Sequence, residues 1–183
     1  MKRVLVIGPG GAGKSTFAAR LAERATLPLI HLDALYWRPG WVEPSKAEWA
    51  VTVDGLVARD RWIMDGNYGG SLAPRLAACD TVIFLDMPRW LCLWRVIQRR
   101  LRHRRRARPD MAADCPERLD WPFLWWILTY PARRRPGILQ RLAALRADQR
   151  AVVLRSAGEV EGFFQSLSSA SQRQNRGEII DRG

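Results

Sequence analysis

Residues 8–15 read Gly-Pro-Gly-Gly-Ala-Gly-Lys-Ser, and few eight-residue strings restrict a fold as tightly. The spacing is that of G-x-x-x-x-G-K-[ST], a loop whose glycines let the backbone curl until its N–H groups converge. The flanks agree with it. Lys2–Ile7 is a short apolar, β-branched run and predicts a buried parallel strand. Ser15–Ala25, with Phe17, Leu21 and several alanines, predicts a helix whose N-terminus adds partial positive charge beside the loop. Strand, glycine loop and helix in that order imply a cradle for the phosphates of ATP. Gly8, Pro9, Gly10, Gly11, Ala12 and Gly13 would form it, with Thr16 in the following turn. Lys14 would reach the β- and γ-phosphates, and the Ser15 hydroxyl would hold Mg²⁺.

Four more short apolar runs follow: Leu29–Leu32, Trp62–Asp65, Thr81–Asp86 and Ala151–Leu154. Helical patterns lie between them, which predicts an α/β fold with a five-stranded parallel sheet between two helical layers. Ser45-Lys46-Ala47-Glu48 is a capping box, opening a helix that presents Trp49, Val53, Leu56 and Val57 on one face. Pro88 suits the first turn of a helix reaching about Arg106, with Leu91, Trp94 or the stem of Arg95, Ile97 and Leu101 turned inward. Ile138–Arg146 resumes a helical pattern. Asp120–Tyr130 packs three tryptophans into one short helical stretch; such a stripe is core, or else a closing patch or dimer contact. Residues 1–167 read as one domain, and the polar segment 168–183 as a frayed tail.

The net charge is +12, and its placement matters more than its size. Arg95–Arg108 carries eight arginines and no acid, so the rest of the 183 residues holds only +4. Such a cluster draws polyanions, whether triphosphates, a phosphorylated substrate or nucleic acid, or else forms a solvated helix face. Cys79, Cys92 and Cys115 are odd in number and widely spaced, and His31 and His103 are isolated, so no metal site is implied by them. The thiols suggest a reducing compartment. No apolar stretch approaches membrane-spanning length, and the run Met1-Lys2-Arg3 leads straight into a strand with no room for a signal peptide. The expected location is cytoplasmic, without a membrane partner.

Phosphoryl transfer needs cations around the migrating group, Mg²⁺ and a placed nucleophile. In open α/β sheets ligands gather at the carboxyl ends of strands, where Asp33 and Asp65 stand. Asp33 is a candidate base or acceptor-orienting group, and Asp65 a candidate for a water-mediated magnesium contact or for holding the acceptor. Either could instead cap the next helix, the better reading for Asp86. Gly66 permits a turn after which Asn67 and Tyr68 can offer hydrogen bonds and a ring to the acceptor. Tyr36 and Trp37 follow Asp33 and suit a planar or sugar-like ligand, or the core.

The order of elements resembles the nucleoside-monophosphate kinases and their shikimate-kinase and uridine-kinase relatives, all P-loop NTPases built as three-layer α/β/α sandwiches. Met64-Asp65-Gly66-Asn67-Tyr68 looks like the Leu-Asp-Gly-Phe-Pro-Arg segment of adenylate kinases, without the arginine that grips a monophosphate there. Arg95-Val96-Ile97-Gln98-Arg99-Arg100 is similar to the run before their lid. By that resemblance a helical lid spans about 102–135, Arg95 lies over the nucleotide base and Arg99 contacts transferred phosphate. One or more of Arg133, Arg134 and Arg135 would close on the phosphates, and Asp33 would orient the acceptor hydroxyl. To about Leu167 the chain resembles the adenylate-kinase-related proteins often named DNA topology modulation proteins, on motifs at Asp33, Asp65, Asp86 and Arg106–Met111. The resemblance implies an ATP·Mg²⁺-dependent kinase acting on a small acceptor. A second reading is a nucleic-acid-binding regulator with ATP as conformational ligand, although no helix-turn-helix is evident.

Overall fold

The computed structural model describes residues 1–102 and 120–180, and of Arg102 and residues 170–180 the backbone alone. Five parallel strands lie in the order β2-β3-β1-β4-β5. They are β1 (Arg3–Ile7), β2 (Leu29–His31), β3 (Trp62–Asp65), β4 (Thr81–Leu85) and β5 (Arg150–Leu154). Each is nearly all apolar because a parallel sheet is covered on both faces. Side chains alternate across it: Val4 and Val6 enter one core, Leu5 and Ile7 the other.

The first core is closed by α1 (Lys14–Ala25), α5 (Arg89–Arg102) and α8 (Ala157–Ile180), through Phe17, Leu21, Cys92, Val96, Phe163 and Phe164. The second is closed by α3 (Lys46–Val57), α4 (Leu72–Ala78) and α7 (Arg135–Ala143), through Trp49, Val53, Leu72 and Leu142. With the short α2 (Leu32–Tyr36) following β2, this gives the three-layer α/β/α sandwich the sequence predicts. The capping box is present in full, with Ser45 Oγ accepting from the Glu48 amide at 3.2 Å and the Glu48 carboxylate from the Ser45 amide at 2.8 Å.

Several expectations need correction. The buried face of α5 is Cys92 and Val96, whereas Trp94, Ile97 and Leu101 are exposed. The reason lies in the phosphate loop: a Cβ built on Gly11 would meet the Cys92 carbonyl oxygen at 2.2 Å, so only a thin helix face fits there. The tryptophan stripe also divides. In α6 (Trp121–Arg133), Ile127 and Tyr130 are buried and Trp126 packs on both cores, while Trp121 and Trp125 face outward. Helix α6 is thus built into the layers, which leaves residues 103–119 of the expected lid, with His103, Cys115 and the Arg106–Met111 motif, outside the described residues. The backbone of α8 runs to Ile180, into the polar segment 168–183. Leu32 opens α2 instead of ending β2, so Asp33 lies in the first turn of a helix.

Candidate active site

The phosphate loop leaves β1, the central strand. Gly11 and Gly13 take positive φ angles of 80° and 91°, which L side chains rarely adopt. Lys14 and Ser15 then begin α1, so the unpaired amides of a helix N-terminus face the loop's interior. Lys14 Nζ folds back to donate to the Pro9 carbonyl at 3.1 Å, holding its charge at the loop mouth. Asn67 clamps the loop from β3's side: its Oδ1 accepts from the Gly8 amide at 3.0 Å and its Nδ2 donates to the Gly8 carbonyl at 2.6 Å. Its carboxamide is thus fixed by the loop while Asn67 also lines the cleft.

A cleft of about 1710 Å³ opens over this loop. From the phosphate loop come Gly10 to Thr16, and from α5 Arg95 and Arg99. Arg95 Nη1 donates to the Ala12 carbonyl at 3.2 Å, so its guanidinium rests on the loop. The three candidate arginines after α6 separate cleanly. Arg134 lines the cleft; Arg135 is bonded through Nε to Asp86 at 2.9 Å; Arg133 is exposed. Asp86 pairs with Arg135, and Arg155 Nε stands 3.8 Å from the same carboxylate. Phe123 lies against Gly10, where an added Cβ would meet its ring at 2.7 Å, and stacks on Trp126 with ring centres 6.0 Å apart.

At the other end stand the carboxylates. His31 and Asp65 are register partners on β2 and β3, which brings His31 Nδ1 within 3.1 Å of Asp65 Oδ2. Asp65 is 5% exposed, and its Oδ1 has no hydrogen-bond partner among the described residues. An unsatisfied buried acceptor costs about 1–3 kcal/mol, more when charged. A metal-held water would supply the missing donor, so Asp65 and the Ser15 hydroxyl are groups that could face the hydration shell of Mg²⁺. Asp33 Oδ1 accepts from the Tyr68 hydroxyl at 2.6 Å. Burial, with the Asp33 carboxylate close by, pushes the Tyr68 phenol far up, so it stays a donor. Tyr36 packs its ring 4.4 Å from that of Tyr68 and donates to Glu43 at 3.1 Å.

Sequence reasoning missed Arg75. It is 0% exposed and donates to four carbonyls: Ser71 (3.0 Å), Gly66 (2.8 Å), Asn67 (2.6 Å) and Tyr68 (3.0 Å). Burial pulls its pKa down to about 10, which leaves it charged at neutral pH. The guanidinium thus fixes the turn that carries Asn67 and Tyr68, and Tyr68 itself has φ 29°. A signal was present: Arg75 occupies a helical core position among Leu72, Leu76 and Cys79.

No family model and no curated protein matches the sequence. Solved structures do resemble the fold. A gluconokinase from Sinorhizobium meliloti 1021 is 15% identical over 98% of this chain and 97% of its own, with a TM-score of 0.51. A shikimate kinase from Acinetobacter baumannii in complex with shikimate is 18% identical over 93% and 94%, with a TM-score of 0.55. A deoxyadenosine kinase from M. mycoides is 15% identical over 91% and 98%, with a TM-score of 0.51. The fold is that of P-loop kinases. At these identities the likeness is one of architecture. Among the described residues no helix is long and apolar enough to cross a membrane.

Proposed function

We propose that the protein is an ATP-dependent phosphotransferase that moves the γ-phosphoryl group to a hydroxyl of a small acceptor. The observation that carries this reading is one cleft that joins a complete phosphate loop to Asp33 in the first turn of α2 and to His31, whose ring pairs with Asp65 at the end of β3. The kinase names borne by structures of the same fold support it. The loop amides and Lys14 would hold the β- and γ-phosphates, with Arg95, Arg99 and Arg134 surrounding the migrating group. Mg²⁺, held through Ser15 and a water on Asp65, would neutralise charge on the phosphates. Asp33, steadied by Tyr68, orients the acceptor hydroxyl and takes its proton. As the acceptor oxygen bonds to phosphorus, the bond to the β,γ-bridging oxygen breaks and ADP leaves.

The test is ADP release from MgATP across a panel of hydroxyl-bearing metabolites, with Asp33→Asn alongside. One compound should stimulate release, and the variant should lose about 10²–10⁴-fold of that stimulation, the usual worth of general-base catalysis. Equal stimulation in both proteins would remove Asp33 from the reaction.

A further inference from the structure

The acceptor end of the cleft has a chemistry of its own, supplied by Asp33, Tyr36, Trp37, Trp41, Glu43 and Tyr68. The rings form a continuous wall. Tyr36 lies 4.4 Å from Tyr68 and 5.1 Å from Trp37 between ring centres, and Trp37 lies 5.1 Å from Trp41. Into that wall are set two carboxylates, each held by a tyrosine hydroxyl: Asp33 by Tyr68, Glu43 by Tyr36. The cations of the cleft come from elsewhere. Lys14 belongs to the phosphate loop, Arg20 to α1, where it pairs with Glu161, Arg95 and Arg99 to α5, and Arg134 to the junction of α6 and α7, while the ring of His31 pairs with Asp65. Arg38, the one cation in residues 37–45, pairs with Glu48 at 2.7 Å and does not line the cleft. Arg75 lies behind the wall with its N–H groups on carbonyls.

Among the described residues, then, the acceptor end offers ring faces and carboxylates without a lysine or arginine. A phosphate or carboxylate brought there meets like charge at short range, least screened at the half-buried Asp33. A ring with hydroxyls finds stacking surface and strong acceptors. We propose that the acceptor carries no negative charge: a ring-bearing alcohol of the nucleoside or free-sugar type, lying on the Tyr36–Trp37 wall with a hydroxyl on Asp33. This inference rests on the kinase reading of the same cleft.

The experiment is calorimetry on the full chain with Mg²⁺ and β,γ-imido-ATP present, so that the donor site is filled. Matched pairs are titrated: thymidine and its 5′-monophosphate, uridine and its 5′-monophosphate, glucose and gluconate, ribose and ribose 5-phosphate. In at least one pair the uncharged member should bind about tenfold or more tighter than its anionic partner. Glu43→Arg, at an exposed position that tolerates the change, should narrow or reverse that ratio, while Glu43→Gln narrows it less. Tighter binding of the anionic member, or no binding by any uncharged compound, would overturn the inference. Failure of the kinase reading shows separately, as no uptake of imido-ATP, or as acceptor binding with no ADP released from ATP.

Discussion

Arg75 shows how much one residue can organise. Its fork reaches carbonyls of four residues in the turn after β3, and no carboxylate bonds it among the described residues. A lysine has the charge but not the fork, so Arg75→Lys restores little. We expect Arg75→Met and Arg75→Lys each to lower stability by about 2–4 kcal/mol by urea titration, in the range of losing a buried hydrogen-bonded cation. A loss under about 0.5 kcal/mol in either would show that the turn holds itself. At this scale the sequence was partly legible. Asp33 and Tyr68 line the cleft, Asp33 from the first turn of α2 instead of a strand end, and Asp65 ends β3. The clamp of Asn67 on Gly8 was not legible because it joins residues 59 apart in the chain. Arg75 was missed because its partners are backbone carbonyls whose directions exist only once the turn has formed.

Among the elements, the strands were the most legible, since an apolar run ended by a charged residue can only be buried on both faces. Helix faces were less so. On α5 the larger apolar stripe, with Trp94, Ile97 and Leu101, points to solvent, and the thin Cys92–Val96 face is selected by the close approach of Gly11. On α6, composition cannot say which tryptophan meets both cores; packing decides for Trp126. The same geometry predicts opposite costs for neighbouring residues. Ile127→Ala, at 0% exposure, should cost about 2–5 kcal/mol in a denaturant titration, as core truncations do. Trp125→Ala, 49% exposed, should cost about 0.5 kcal/mol or less. Comparable losses at the two positions would mean that α6 is turned otherwise.

For the whole molecule, the order of strands and helices was readable because helical patterns separate the apolar runs and the loop after β1 sets the rest. The lid was readable only in part: α6 joins the body because Ile127 and Tyr130 find core to fill, whereas residues 103–119 lie outside the described chain. Two thiols set an alkaline limit on stability. Burial pushes Cys79 and Cys92 up to about 11 from an ordinary 9. Each therefore holds its proton more tightly folded than unfolded. That contribution is complete below about pH 9 and is lost as pH rises towards 11. The urea midpoint should stay level from pH 7 to about 8.5 and fall between about 9 and 11. A midpoint unchanged at pH 11 would contradict the burial of these thiols.

The central claim is that the curled backbone of residues 8–15 grips the phosphates of ATP, and calorimetric titration of the full chain with MgATP tests it most directly. The account predicts saturable uptake near one nucleotide per chain, weakened about tenfold or more in Lys14→Ala while its urea midpoint stays close to that of the parent. Absence of uptake by the parent protein, or equal affinity in the variant, would contradict it.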